Sequence, residues 1–328
     1  MISVLLPIKN AADTLEQTLL SIVTQEYSNF EVICIVAPSY DGSLEISKKW
    51  SETDSRIKVI DYLGEDGIAS QCNLGLSLAN GVYVAICNAD DINLPNRFLA
   101  QSLFLENNPE VGVVGSDVLT FGRATKYWRF PNSSEEIKAT MLFRSAIANP
   151  TAMIRRSVLI ENNITYDPKF GSASEDLDIW QRLSEVTTLR NLNFPLIRYR
   201  IWEGQVTQSN SDKIDDAASR IRLRQLKKIG IEAWDEDLLL HELIARNYSN
   251  LDKSEVKAWL KRIQELNSNS KVYQSKELQL VLEREYFKIV IGSKGGNSKR
   301  EFRFNWISTL ANRIPIPTKI RIANLMGM

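Results

Sequence analysis

The chain has 328 residues, with forty basic and forty acidic side chains in balance, 44% apolar residues and 24% charged ones. This is a globular composition with no overall field aimed at nucleic acid, and no stretch is long and apolar enough to cross a bilayer. The single histidine, His241, argues against His-rich zinc sites, Ser-His-Asp hydrolysis and histidine general bases.

Ile2 to Pro7 reads as a short apolar strand, followed by Lys9-Asn10 and a helix with Thr14, Leu15, Leu19, Ile22 and Val23 on one face. Phe30 to Ala37 is a second strand, with a turn over Pro38 to Gly42 and a helix from Ser43 to Trp50. Ile57 to Tyr62 is a third strand and Gly67 to Leu78 a third helix, stopped by Asn80-Gly81. Strands alternating with helices of this length predict βαβ units and a mainly parallel sheet. Cys34, Cys72 and Cys87 have no metal-type spacing, and two of them lie in apolar runs, so a reducing, cytoplasmic setting is expected. The N-terminus enters its first strand with no signal peptide.

The run Val82 to Cys87 predicts a buried strand, and Asn88-Ala89-Asp90-Asp91 follows directly. Adjacent carboxylates at a strand's carboxyl end can cap the next helix as a solvated acidic turn. They can also hold a divalent cation against a polyanionic ligand. From Val111 to Trp128 the pattern turns to short strand-like runs, and a mixed region continues to Pro150. Glu175-Asp176 opens a segment in which Leu177, Trp180 and Leu183 share a helical face, so both acids fall in a first turn. A helix N-terminus with Ser174 as N-cap accounts for them by itself. The functional alternative makes Asp176 a general base.

Beyond about residue 209 the character becomes helical: Arg220 to Gly230, Leu238 to Tyr248, Ser254 to Leu266 and Ser275 to Ile291. His241 lies in one of these helices and reads as structural. We place a boundary between 211 and 212, giving a catalytic-type domain over 1–211 and a helical region over 212–328. The last segment, 294–328, is basic and aromatic, as in Lys299, Arg300, Arg303, Phe304 and Trp306. Such a segment either docks on its own domain or makes peripheral contact with an anionic membrane.

Taken in order, these motifs resemble the inverting glycosyltransferases of family 2, which have the GT-A fold. The resemblance starts at Ser3 to Asn10 and continues through Leu15 to Ile22, Gln25, Gly67-Ile68 and Asn73-Leu74-Gly75. It goes on through Asn88 to Asp91 with Leu94-Pro95-Asn96-Arg97, then Asn149 to Arg156, Phe170 to Leu183, and Tyr199-Arg200. It implies an α/β domain, Rossmann-like with helices on both faces of the sheet, that moves a sugar from a nucleotide-diphosphate donor to a hydroxyl. Pro7, Lys9, Asn10, Ser39 and Cys72 would line the nucleotide-sugar pocket with Asp90. Asp91 would hold Mg²⁺ or Mn²⁺, Asp176 would be the base, and Glu175 would orient the acceptor or the base. The acceptor would be a glycan or lipid-linked saccharide in polysaccharide biosynthesis.

The chain departs from the family pattern at Val36-Ala37, where a base-binding aspartate is usual. It also departs at Cys72, at Asn88, and at Trp202, where a histidine is frequent. The first departure favours an alternative reading, a catalytically silent member that binds sugars or partners within an assembly complex. A nucleotidyltransferase fits poorly, because Pro7 to Ala11 contains no glycine to cradle phosphates.

Overall fold

The computed structural model describes residues 1–64, 67–172, 174–202, 211–231, 236–248 and 251–292. The chain forms two compact units. One contains 1–137 and 145–217, and the other contains 138–144 and 218–328.

The first unit is built on a sheet of nine strands. Its first half alternates β1 (Ile2–Ile8), α1 (Ala12–Val23), β2 (Phe30–Val36), α2 (Ser43–Thr53), β3 (Ile57–Asp61), α3 (Ile68–Leu78) and β4 (Tyr83–Ile86). These four strands lie parallel in the order β3-β2-β1-β4. Order and sequence reverse between β1 and β4, so the carboxyl ends open a crevice there. Even-numbered Ile2, Val4, Leu6 and Ile8 pack with Leu15, Leu19 and Ile22 of α1. The odd-numbered face meets α3, where a Cβ on Gly75 would come within 3.0 Å of Leu5 and 3.1 Å of Ile35. Helices on both faces explain why these strands are apolar at every position rather than alternating.

The second half of the sheet is mixed. β5 (Ile92–Asn93) is followed by α4 (Arg97–Asn107), β6 (Val111–Gly122), β7 (Tyr127–Trp128) and α5 (Ser134–Thr140). Then come β8 (Met153–Arg155), α6 (Arg156–Glu161), α7 (Glu175–Leu183) and β9 (Thr188–Ile201). β8 runs antiparallel between β4 and β6, β6 pairs parallel with β9, and β9 pairs antiparallel with β5. The expected parallel sheet therefore describes the first half, and the long pair β6–β9 completes the sheet.

The second unit is helical. It takes in most of α8 (Ser211–Lys228), with α9 (Glu236–Ala245), α10 (Lys253–Ser270) and α11 (Ser275–Gly292). Leu226, Leu238, Leu243, Ile244, Val256, Trp259, Ile263 and Leu278 form its core, joined by Leu142 and Phe143. The boundary expected at 211/212 falls at the start of α8, while the compact units divide between Ala217 and Ala218. The basic tail 294–328 lies outside the described residues. Among those described, no helix is long and apolar enough to cross a membrane.

Candidate active site

The loop after β4 is held from two sides. α1 grips it from one: Thr18 Oγ1 donates to the carbonyls of Ala89 (3.0 Å) and Asp91 (2.9 Å), and Thr14 Oγ1 donates to Ala89 O at 2.9 Å. Gln25 Nε2 donates to Leu94 O at 2.7 Å, and the Phe98 N–H donates back to Gln25 Oε1 at 3.0 Å. From the other side comes the end of β9. The Arg200 N–H donates to Asp91 Oδ1 at 2.9 Å and Arg200 Nε to Asp90 O at 2.9 Å. Trp202 Nε1 donates to Asp90 Oδ2 at 3.0 Å. Beneath the loop lies the fully buried Arg97, bonded to Ile86 O, Cys87 and Asn93.

The two aspartates are therefore not equivalent. Asp91, expected to hold the cation, is 2% exposed and has both oxygens engaged, Oδ1 by Arg200 and Oδ2 by Asn88 Nδ2 at 3.1 Å. Burial, then the charge of Asp90, pushes its carboxyl well above the usual range. These bonds tie Asp91 to the end of β9 and to Asn88. Asp90 is the more open carboxylate, raised by burial while the Trp202 indole and Arg200 favour its charged form. Among the described residues no three His, Cys, Asp or Glu side chains converge. A divalent cation here would thus need a ligand's phosphates to complete its oxygen shell, which suits the hard carboxylate donors present.

A cleft opens at the carboxyl ends of β1 to β3, lined by Lys9, Asn10, Ala37, Pro38, Tyr40, Tyr62 and Gly64. Lys9 and Asn10 are where the sequence reading put them. Ser39 is occupied as a staple, accepting from the Asn10 N–H at 3.0 Å and donating to Ala37 O at 2.9 Å. Asp41 fastens the same turn, accepting from the Ala12 N–H at 2.9 Å and from Ser43 Oγ at 2.6 Å. Pro7 is half-buried behind this turn. Cys72 is fully buried and lies against Glu175, so it presents nothing to a donor. Tyr40 and Tyr62 were missed. Each stands alone in its segment, and only the loop's path brings the two rings into one cleft.

The segment before the second acidic pair is attached at the start of α3. Gly67, at φ +134°, touches the following segment so closely that a Cβ would lie 2.9 Å from Gly171 Cα. The Ala69 N–H donates to Gly171 O and the Ile68 N–H to Ser172 Oγ, both at 3.0 Å. Deeper in α3, Asn73 clamps the Tyr166 backbone in both directions at 2.8 Å. Arg182 ties α7 back through Asp178 and Thr165 O. The predicted capping bond from Ser174 does not form, because its backbone is left-handed at φ 64°.

Glu175 is 6% exposed, and burial together with Asp176 pushes its carboxyl up to about 8. Asp176 is half-buried and also raised by burial, against hydrogen bonds from the Leu177 N–H and the Ser145 hydroxyl. A helix N-terminus alone would lower its basicity, and burial reverses that. The buried Tyr166 hydroxyl, beside Cys72 and Glu175, has no hydrogen-bond partner.

Known proteins share this sequence pattern and fold. The profile of the glycosyl transferase family 2 matches residues 3–162. The O-antigen biosynthesis glycosyltransferase WbnJ of Escherichia coli is 30% identical over 238 residues, 70% of this chain and 90% of that protein. The chain belongs to glycosyltransferase family 2. It is similar in fold to Staphylococcus aureus TarS 1-349 in complex with UDP-GlcNAc, with TM-score 0.60, 16% identity and 89% of each chain covered. It is also similar to the mannosyltransferase PcManGT from Pyrobaculum calidifontis in complex with GDP-Man and Mn²⁺, with TM-score 0.53, 15% identity, and 89% and 86% covered. This family 2 enzyme thus has the GT-A architecture, with a helical C-terminal region following it.

Proposed function

We propose that this glycosyltransferase moves a sugar, with inversion, from a nucleotide-diphosphate donor to an acceptor hydroxyl. The observation that carries the reading is how the second acidic pair is held. Tyr62 and Gly64 line the cleft, and Gly67 and Ala69 at the start of α3 pack on Gly171 in the segment before Glu175-Asp176. The nucleotide lies at Lys9, Asn10, Tyr40 and Tyr62, and Asp90 rather than Asp91 faces its diphosphate. A divalent cation bound there neutralises the charge developing on the leaving diphosphate.

The chain's own residues do the rest. Trp202 and Arg200 fix Asp90, so its remaining oxygen is presented without reorganisation. Asp176 takes the acceptor proton as that oxygen attacks the anomeric carbon from the face opposite the diphosphate. Glu175 keeps its own proton at neutral pH, so the pair carries one negative charge and Asp176 holds it. The resemblance of this chain to an O-antigen enzyme supports a surface-polysaccharide acceptor.

The test is calorimetric titration of nucleotide sugars with and without Mn²⁺, alongside a transfer assay on Asp176→Asn. Donor binding should persist in that variant while transfer falls by about a hundredfold or more. An undiminished rate would remove Asp176 as base. A protein that binds no nucleotide sugar would instead support the silent, partner-binding alternative.

A further inference from the structure

One face of the sheet's second half is open, and it leads to Asp90. Across β7, β6, β9 and β5 the register aligns Tyr127, Leu119, Arg198 and Ile92, and one step along it aligns Phe121 with Arg200. Cross-strand partners share a face, so these side chains form one surface. Tyr127 and Arg198 are exposed, and Leu119, Phe121 and Ile92 are half-buried. On the opposite face Val118, Thr120, Ile197 and Asn93 are buried. At its inner end Arg200 reaches Asp90 O, and Trp202, 41% exposed, holds the carboxylate.

The chemistry of the surface is cationic and aromatic. The Arg198 and Arg200 guanidinium groups lie 4.7 and 4.5 Å from the Phe121 ring centre, and Arg129 lies 5.7 Å from that of Tyr127. Arg123 and Lys126 add charge along the β6–β7 turn, which holds no acid between Gly122 and Arg129. Asp117 on β6 is buried and bonded to the Tyr127 hydroxyl at 3.0 Å and the Phe130 N–H at 2.8 Å. Among the described residues neither Arg129 nor Arg198 makes an ion pair. Charged edge strands discourage aggregation, but Arg198 sits where β9 is paired on both sides. Edge protection therefore does not account for it. A guanidinium resting on a ring, as that of Arg198 does on Phe121, can still turn its N–H fork to carboxylate or phosphate, and flat aromatic surface suits the apolar face of a sugar.

We propose that this face binds the acceptor, and that the acceptor is an acidic oligosaccharide. Its rings rest on Tyr127 and Phe121, and its carboxylate or phosphate groups meet Arg129 and Arg198, at the side of the donor site where β9 ends. The inference rests on the glycosyltransferase reading above, but it is tested separately.

Wild type and the double variant Arg129→Ala/Arg198→Ala, both as full chains, are titrated with hexagalacturonate and with a phosphorylated oligomannoside. Neutral maltohexaose and phosphatidylglycerol vesicles serve as the contrasting ligands. The expected result is that at least one acidic saccharide binds wild type, more weakly as salt rises, and that the double variant loses roughly tenfold or more in affinity. Binding of neither acidic saccharide, equal binding of maltohexaose, an unchanged affinity in the variant, or binding to vesicles alone would each overturn it. The same two proteins titrated with nucleotide sugars and Mn²⁺ should behave alike. Loss of donor binding in wild type would sink the donor reading, whereas intact donor binding without acidic-saccharide binding sinks only the acceptor surface.

Discussion

At the scale of single residues, the acidic loop divides labour between neighbours. In the proposed reading Asp91 is a strut and Asp90 the presented ligand, so Asn substitutions at the two positions should fail differently. Asp91→Asn puts an amide where Arg200 and Asn88 both donate, and should cost about 1–3 kcal/mol of stability, read as a fall in thermal midpoint without ligand. Asp90→Asn should leave that midpoint nearly unchanged and abolish the extra stabilisation that Mn²⁺ gives a nucleotide sugar. Trp202→Phe keeps the ring and removes the N–H donor, so cation affinity in the presence of donor should fall roughly tenfold. Nucleotide affinity without metal, measured in the same titration, should hold. The loop's importance was legible from Val82 to Asp91. Which carboxylate faces outward was not, because β9, more than a hundred residues later, supplies the bonds that decide it.

At the scale of elements, the buried first-half strands could be read to within a residue or two, since continuous apolar runs leave few alternatives. β9 was nearly invisible: Arg190, Asn193, Pro195, Arg198 and Arg200 interrupt it. Register shifts near Asp117 also break its pairing with β6. Its strand character comes from two neighbours rather than from its own residues. α7 carries the pH dependence. Glu175 has a folded pKa raised from 4.5 to about 8, so across that window the folded state binds more protons than the unfolded one, and stability declines as pH rises. Glu175→Gln should therefore raise the thermal midpoint relative to wild type near pH 8, with little gain near pH 4.5. Gly67→Ala meets both a left-handed φ and the Gly171 backbone. It should lower transfer more than donor affinity, which separates positioning of α7 from nucleotide binding.

At the scale of the whole molecule, the helical unit was legible as helices but not as a unit, because 138–144 joins it from far upstream. His241 shows why. It is fully buried, donates from Nε2 to Leu142 O at 2.8 Å, accepts from Trp259 Nε1 at 3.3 Å and stacks on Phe143. Burial lowers it from 6.5 to about 4. The unfolded chain therefore takes up the proton first as pH falls, and stability is lost between about 6.5 and 4. His241→Phe should flatten that part of the urea-midpoint profile, even though it leaves Leu142 O and the indole unpaired and is less stable at neutral pH. The Gly67–Gly171 contact, too tight for one methyl group, has a consequence for timing. In the proposed reading this contact couples the start of α3 to the turn before the base, so a donor bound at Tyr62 should bias the placement of Asp176. Product-inhibition kinetics should then show donor entering before acceptor, and random entry would remove the coupling.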